Sequence, residues 1–285
     1  MASPLQQPSL QNQVPDELLI AHIMQLHESI SKLESLRPSK QVNALLTQLV
    51  KLCTLPSSIE VSNLPNEVQA MRGSLIRLCG EAEALLELEF AALVCQTPNP
   101  TNNLHLFPYY GNYVKLANLE YNILRDNGIV NPKKVAFVGS GPMPLTSIIL
   151  ATHHLFVSIF DNYDIDDSAN TMARKIVSSD AELERRMRFK TQDVMEAREE
   201  LGEYDLIFLA ALVGMSKEEK MKVIAHVRKH MKPGGALLLR SVKAARAFLY
   251  PVVEEDHLSG LEVLSVFHPM NDVINSVILA RKPCN

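Results

Sequence analysis

The spacing of hydrophobic positions changes character near residue 128. Up to that point apolar residues recur every three or four positions, which is the period of an amphipathic helix. Three such stretches precede a polar loop at 98–103, and a fourth begins near Tyr109 and ends at Gly128, a residue type that suits the end of a helix. We therefore expect residues 16–128 to form an all-helical N-terminal lid domain, preceded by a disordered tail over residues 1–15.

Residues 129–285 alternate short β-prone runs with helical segments. The predicted strands cover residues 134–139, 156–161, 187–191, 205–210, 236–240, 261–267 and 273–280. The predicted helices cover residues 144–153, 166–177, 217–230 and 243–249. Parallel strands joined by crossover helices form a doubly wound sheet, whereas the last two strands predict an antiparallel hairpin. The fold class is therefore α/β, a Rossmann-like and mostly parallel sheet whose terminal hairpin is typical of S-adenosylmethionine-dependent transferases.

The composition is that of an ordinary globular protein, with 47% hydrophobic and 21% charged residues. The formal net charge is −4 and there is no strongly basic block, which argues against a nucleic-acid partner. No apolar run approaches the ~18 residues of a membrane span. The four cysteines form no Cys-x-x-Cys pair, so we expect no zinc site and reduced thiols in a cytoplasmic protein.

Candidate ligand chemistry begins where the first predicted strand ends, at Gly139-Ser140-Gly141. Glycine lets a ligand approach bare backbone, and Pro142 suits a first helical turn. Pro144 replaces the third glycine of the dinucleotide motif G-x-G-x-x-G, and no Lys or Arg in the turn could pair with a pyrophosphate. The turn therefore favours a nucleoside without phosphates, such as S-adenosylmethionine, over a dinucleotide.

Further candidate residues are expected at the carboxyl ends of the second, third and fourth strands, where open α/β sheets bind ligands. Asp161 is predicted to end the second strand and to accept hydrogen bonds from both ribose hydroxyls. Asp193 follows the third strand and would accept from an adenine amino group while Val194 and Met195 cover the ring. Ala210 and Ala211, after the fourth strand, would leave room for the purine. Taken singly, either acid could be an ordinary loop acid or a helix cap.

A second cluster of candidate residues lies in the helical half. Glu83 and Glu87 are four residues apart and therefore share one face of a helix. Tyr109, Tyr110 and Tyr113 form a local excess of tyrosine, which offers a ring for packing and a hydroxyl that needs a partner when buried. Exposed glutamates and tyrosine-rich turns are both common, so spacing alone assigns these residues no role.

Together these motifs give the chain a resemblance to the nicotianamine synthase family. The most specific segments read Phe-Pro-Tyr-Tyr-Gly-Asn-Tyr at 107–113 and Leu-Ala-Ala-Leu-Val-Gly-Met at 209–215. The other segments that carry the resemblance are 77–87, 135–147, 160–164, 239–241, 245–251 and 273–277. The resemblance implies that three S-adenosylmethionine molecules give three methylthioadenosines and one nicotianamine. The group transferred is aminocarboxypropyl, and a final intramolecular attack closes an azetidine ring.

The resemblance also implies roles for individual residues. Glu87 would be the base that deprotonates the attacking amine, and Tyr113 its hydrogen-bonding helper. We expect Glu83, Tyr109 and Tyr110 to line the substrate site. The enzyme itself is expected to need no metal, because iron, zinc, copper or nickel would be bound by the product.

Arg240 is a candidate for a substrate carboxylate, which a guanidinium binds with two parallel hydrogen bonds. A structural ion pair is the alternative for this residue. We expect the helical domain to lie over the strand ends and to exclude water from the sulfonium.

Two other functions share the same cofactor residues. A methyltransferase with a helical lid would release S-adenosylhomocysteine instead of methylthioadenosine, and a non-catalytic adenosine sensor would tolerate loss of Glu87. A tyrosine-based trafficking signal matches residues 113–116, and a di-leucine signal matches Leu85-Leu86. If these motifs are accessible to adaptor proteins, the protein could associate with vesicles. The oligomeric state is left open by the sequence.

Overall fold

The computed structural model describes residues 14–284, so most of the predicted tail lies outside the described residues. The first four helices are α1 (Asp16–Ser31), α2 (Lys40–Cys53), α3 (Asn66–Val94) and α4 (Tyr110–Asp126). The elements of the second half are β1 (Lys134–Val138), α5 (Leu145–His153), β2 (Ile159–Asp164), α6 (Asp167–Val177), α7 (Ala181–Arg186), β3 (Met187–Thr191), β4 (Leu206–Leu209), α8 (Lys217–His230), β5 (Ala236–Ser241), β6 (Glu262–Phe267) and β7 (Ser276–Arg281).

The seven strands form one sheet in the order β3-β2-β1-β4-β5-β7-β6. The first five strands in this order are parallel, whereas β7 pairs antiparallel with β5 and β6 pairs antiparallel with β7. Strand β1 is central, and four of its five residues are buried, as expected for a parallel strand covered on both faces. The predicted fold class, including the terminal hairpin, is confirmed.

The predicted position of β2 is wrong by three residues. The strand runs over Ile159–Asp164 and not over 156–161, because Lys134 of β1 pairs with Ile159. Phe156 and Val157 instead lie in the turn after α5, with 62% and 67% of their surface exposed. A continuous apolar run such as this one carries no period that marks where a strand starts.

Two helical segments also differ from the prediction. Helix α7 was not predicted, because six residues are too few to show a period; Asp180 caps it by accepting from the N–H groups of Glu182 and Leu183. The helix predicted over 243–249 is a short 3-10 turn at Ala244–Phe248. Within residues 14–284 no helix combines the length and the apolar character needed to cross a bilayer.

The helical half lies over the carboxyl ends of the strands. Helix α3 comes close to the loop after β4, because a Cβ on Gly80 would lie 3.5 Å from the side chain of Leu212 and 3.6 Å from that of Met215. The C-terminal half of α3 and helix α4 contribute Ala91 and Leu116 to a core that also contains Phe137 of β1. Helices α3 and α4 therefore share a hydrophobic core with the sheet, and whether residues 16–128 fold separately stays a prediction.

A buried ion pair joins the two halves at this interface. The Nε atom of Arg240 on β5 donates to Oε1 of Glu120 on α4 at 2.7 Å, and its Nη2 donates to Oε2 at 3.1 Å. The same Nη2 donates to the Thr146 hydroxyl of α5 at 2.8 Å. Both charged side chains are almost fully buried, so each depends on the other for its charge.

We expect Glu120→Gln to lower the free energy of unfolding by roughly 3–5 kcal/mol, because it leaves the Arg240 guanidinium buried without a counter-charge. Denaturant unfolding followed by circular dichroism measures the change. The matched control is Glu28→Gln, which removes an exposed ion pair with Lys32 and should leave the unfolding midpoint unchanged. Equal stability of the Glu120→Gln variant and the parent would contradict the account.

Candidate active site

The glycine turn after β1 has a shape that only glycine permits. Gly139 and Gly141 both adopt positive φ angles, +80° and +66°. A Cβ on Gly139 would collide with Val213, and a Cβ on Gly141 would lie 2.7 Å from Oε2 of Glu87. Between them, the buried hydroxyl of Ser140 has no hydrogen-bond partner among the described residues. The turn therefore combines bare backbone with an unpaired polar group, as a ligand site requires.

Glu87 of α3 lies directly against this turn. Its side chain is buried, and the Tyr113 hydroxyl of α4 donates to its Oε1 at 2.9 Å. Burial and the nearby Glu83 carboxylate together raise the pKa of Glu87 to about 8. The Tyr113 hydrogen bond lowers this pKa, but by less than Glu83 raises it. Burial also raises the pKa of Tyr113 well above its usual value, so the phenol keeps its proton and acts as a donor.

Glu83 lies one helical turn earlier on α3 and forms a similar pair. The Tyr250 hydroxyl donates to its Oε2 at 2.9 Å. Burial raises the pKa of Glu83, opposed by this hydrogen bond and by Arg240. Tyr250 follows the 3-10 turn at Ala244–Phe248, and we missed its role because nothing in the local sequence links it to α3. We refer to Glu83, Glu87, Tyr113 and Tyr250 as the carboxylate cluster.

The structure favours the ion-pair alternative for Arg240 over a substrate carboxylate. The edge of its guanidinium formed by Nε and Nη2 is bonded to Glu120 and Thr146, so that edge cannot bind a substrate carboxylate with two parallel hydrogen bonds. Arg240 nevertheless lies near enough to the carboxylate cluster to oppose the rise in the pKa values of Glu83 and Glu87. It is a buried structural cation beside the site.

The assignment of Asp161 to the ribose hydroxyls is also wrong, because β2 extends three residues further than predicted. Asp161 lies in the middle of the strand, opposite Ala136, with 1% of its surface exposed. Its Oδ2 accepts from the Tyr204 hydroxyl at 2.7 Å and lies 3.4 Å from Nζ of Lys190. The acid at the end of the strand is Asp164.

Asp164 is held against the glycine turn on the ligand side of the sheet. Its Oδ2 accepts from the Gly141 N–H at 2.8 Å, and its Oδ1 accepts from the Asp166 N–H at 3.0 Å. The side chain remains partly exposed. Asp164 therefore has the position in this structure that was predicted for Asp161.

The three residues predicted to contact adenine after β3 differ in accessibility. Asp193 is exposed, and its Oδ1 accepts from the Met195 N–H at 2.9 Å. Val194 is 3% exposed and belongs to a core cluster with Tyr204, so its side chain is unavailable for covering a ring. Met195, which is 37% exposed, is the apolar side chain that this loop presents.

A buried lysine holds the loop after β4. Lys220 of α8 is 1% exposed, and its Nζ donates to the carbonyls of Ala210 at 3.0 Å and Ala211 at 2.8 Å. Burial lowers the pKa of Lys220 to about 7. Ala210 and Ala211 follow the end of β4, and Ala210 lies beside Gly139. We missed Lys220 because a lysine in an amphipathic helix usually faces solvent.

The tyrosines at the start of α4 lie in different places. Tyr109 is 41% exposed, and partial burial together with the nearby Glu83 raises its pKa. Tyr110 instead packs against the core that α3 and α4 share with the sheet. Tyr109 is thus at the rim of the carboxylate cluster, whereas Tyr110 has a packing position.

Both trafficking motifs lie within helices and use packed side chains. The Tyr113 hydroxyl is bonded to Glu87, and Leu116 is 3% exposed. Leu85 and Leu86 pack against the hydrophobic cores on either side of α3. An adaptor protein could not reach these motifs in the folded chain.

The arrangement can accept protons from a substrate held at the glycine turn. Oε2 of Glu87 and Oε1 of Glu83 take part in no hydrogen bond among residues 14–284, so each tyrosine-bound carboxylate keeps one oxygen free. A carboxylate whose pKa lies near neutrality is an efficient general base. The site therefore suits deprotonation of an amine next to a bound nucleoside.

Comparison with known proteins places the chain in a well-defined group. A family model described as "Nicotianamine synthase protein" matches residues 10–285. Nicotianamine synthase from Solanum lycopersicum is 53% identical over 264 residues, which are 93% of this chain and 83% of the relative. Nicotianamine synthase 1 from Arabidopsis thaliana is 52% identical over 272 residues, 94% of this chain and 85% of the relative.

Two solved structures share the fold. A glutamate-to-glutamine mutant of MtNAS in complex with S-adenosylmethionine superposes with a TM-score of 0.76 at 20% identity, over 93% of this chain and 98% of that one. MtNAS in complex with MTA and tNA gives a TM-score of 0.75 at 21% identity, over 92% and 96%. The likeness covers the helical half as well as the sheet.

The raised pKa of Glu87 predicts a pH-dependent stability. The native state binds this proton more tightly than the unfolded chain, so the free energy of unfolding falls as the pH rises from about 4.5 to about 8. Glu87→Gln should weaken that fall by at least about 1.4 kcal/mol, the value of one pKa unit. Denaturant unfolding at pH 5.5 and pH 8 measures it, with the exposed Glu89→Gln as control. Equal pH dependence in the Glu87→Gln variant and the parent would argue against a raised pKa.

Proposed function

The chain belongs to the nicotianamine synthase family, and from that premise we propose that Glu87 is the base for aminocarboxypropyl transfer between S-adenosylmethionine molecules. The observation that carries the proposal is the position of Glu87, whose free Oε2 lies against Gly141 of the glycine turn. Two intermolecular transfers and one intramolecular ring closure consume three S-adenosylmethionine molecules and release three methylthioadenosines.

Each intermolecular transfer requires one proton transfer and one substitution at carbon. The ammonium group of one substrate gives a proton to Oε2 of Glu87 and becomes a neutral amine. The amine lone pair then forms a bond to Cγ of a second methionyl group, and the electron pair of the broken C–S bond leaves with the sulfur of methylthioadenosine. General-base help of this kind contributes roughly 10²–10⁴ in rate.

Tyr113 assists by holding Glu87 in one orientation. Its hydroxyl donates to Oε1, which directs Oε2 toward the glycine turn. A single neutral hydrogen bond contributes about 1 kcal/mol, so Tyr113 has a smaller effect than the base. Because its own pKa is raised, the phenol stays a donor throughout.

The nucleoside part of the substrate is held by the sheet half. The backbone of Gly139–Gly141 and the unpaired Ser140 hydroxyl form one side of the binding site. Asp164 is the acid for the ribose hydroxyls, since each of its oxygens has a second lone pair beyond its backbone hydrogen bond. Asp193 is the acceptor for the adenine amino group.

The loop at Ala210 and Ala211 forms the wall beside the purine and is kept in place by Lys220. The helices over the strand ends limit water at the sulfonium, which protects it from hydrolysis. A methyltransferase would use the same nucleoside residues, and the identity of the released nucleoside separates the two activities.

The product has several amine and carboxylate donors, a set that binds first-row transition metals. On this basis the enzyme supplies a chelator for iron, zinc, copper and nickel. All four cysteines are free thiols, in keeping with the cytoplasmic location predicted from the sequence.

Glu87→Gln is expected to lower kcat for methylthioadenosine release by 10²–10⁴, because glutamine cannot accept a proton, while S-adenosylmethionine still binds. Chromatography with mass detection of methylthioadenosine and nicotianamine measures the rates. Glu81→Gln, an exposed change on the same helix, is the matched control and should leave them unchanged. A Glu87→Gln variant with a kcat within tenfold of the parent value would refute the assignment.

Asp164→Asn is expected to raise KM for S-adenosylmethionine by at least tenfold, because a charged acceptor for the ribose is lost. Asp161→Asn should instead lower the melting temperature, since it weakens the buried contacts with Tyr204 and Lys190. Steady-state kinetics and thermal melts of both variants separate the effects. If the Asp161 variant had the raised KM and the Asp164 variant did not, the corrected assignment would be wrong.

A further inference from the structure

Two carboxylate–tyrosine pairs repeat one helical turn apart on α3. Tyr113 of α4 donates to Glu87 at 2.9 Å, and Tyr250 donates to Glu83 at the same distance. The tyrosines come from unrelated segments, yet each binds one oxygen of its carboxylate and leaves the other oxygen without a partner among the described residues. The second pair therefore shares with Glu87 a tyrosine-bound carboxylate that keeps one oxygen free, although only Glu87 lies against Gly141.

The distance between the two pairs matches a repeat in the product. Residues four apart on a helix have Cβ atoms about 5–6 Å apart. Each aminocarboxypropyl unit separates successive nitrogen atoms by three carbons, and four bonds of ordinary length and angle span roughly 5 Å. A growing chain with one nitrogen at Glu87 would thus bring its next nitrogen to Glu83.

The polypeptide segment that carries Tyr250 is held against α3 without the Tyr250 hydroxyl. Nε of Arg72 on α3 donates to the Ala247 carbonyl at 2.6 Å, and its Nη2 donates to the Tyr250 carbonyl at 3.4 Å. The backbone of this segment is therefore already fixed to α3 by Arg72. Placing a second carboxylate, that of Glu83, in the interior beside Glu87 costs free energy. A role for Glu83 in holding this segment would not explain that cost, because Arg72 already holds it.

We propose that Glu83, assisted by Tyr250, is a second general base that serves the nitrogen one aminocarboxypropyl unit away from the one at Glu87. The inference rests on the proposed function of Glu87. In its step an ammonium of the growing chain gives a proton to Oε1 of Glu83, and the freed lone pair bonds to Cγ. The C–S electron pair leaves with neutral methylthioadenosine.

The proton then leaves toward solvent on the side of Tyr109. This tyrosine is 41% exposed and lies near Glu83, so a proton on Glu83 can exchange with water at the rim of the carboxylate cluster. Glu87 lies against the glycine turn, with 9% of its surface exposed. The two carboxylates therefore divide the successive deprotonations between an inner and an outer position.

The test is the length of the product made from S-adenosylmethionine alone. Glu83→Gln should raise the ratio of methylthioadenosine to nicotianamine at least tenfold over the parent ratio, because the first transfer continues at Glu87 while later ones stall. It should accumulate compounds with fewer than three aminocarboxypropyl units, and nicotianamine should fall at least tenfold. Tyr250→Phe should give the same incomplete products to a smaller extent, and Glu83→Asp should restore part of the nicotianamine. The exposed Glu89→Gln is the control.

The outcomes separate this inference from the proposed function. If Glu83→Gln and Tyr250→Phe keep three methylthioadenosines per nicotianamine at any overall rate, Glu83 is not a second base. Loss of the first transfer in Glu83→Gln would overturn the inference as well. Undiminished activity of Glu87→Gln would instead refute the proposed function, because it removes the first base. Thermal melts identify a variant that does not fold, in which case Tyr250→Phe decides the question.

Discussion

The architecture depends on the contact between a buried carboxylate and a turn that has no side chains. Glu87 can lie against Gly141 only because that residue lacks a Cβ, which would be 2.7 Å from Oε2. Burial of the carboxylate, together with the neighbouring Glu83, raises its pKa to about 8. The steric condition at Gly141 therefore holds a carboxylate of raised basicity against the glycine turn.

Contacts between the helical half and the sheet keep this carboxylate in place. The Arg240–Glu120 pair ties α4 to β5, and Arg72 ties α3 to the segment that carries Tyr250. Lys220 fixes the loop that faces the glycine turn from the other side. These cations neutralise or hydrogen-bond buried oxygen atoms, so they orient the site without being consumed by the chemistry.

The sequence predicted structure correctly where local spacing or residue type alone determines the conformation. It predicted the sheet with its hairpin, the glycine turn, and the shared face of Glu83 and Glu87. It failed where the answer lay in pairing between distant segments. The position of β2 follows from its register with β1, and that register alone decides between Asp161 and Asp164. The burial of Arg240 and Lys220 likewise depends on partners that no local pattern reveals.

The most direct test of the central claim is a crystal structure of the Glu87→Gln variant with S-adenosylmethionine bound. The account predicts that the amide of residue 87 lies about 2.6–3.2 Å from the methionyl amine, the reach required of a general base. The sulfonium should lie beside the glycine turn in the same structure. A methionyl amine held more than about 6 Å from residue 87, with no intervening water, would contradict the account.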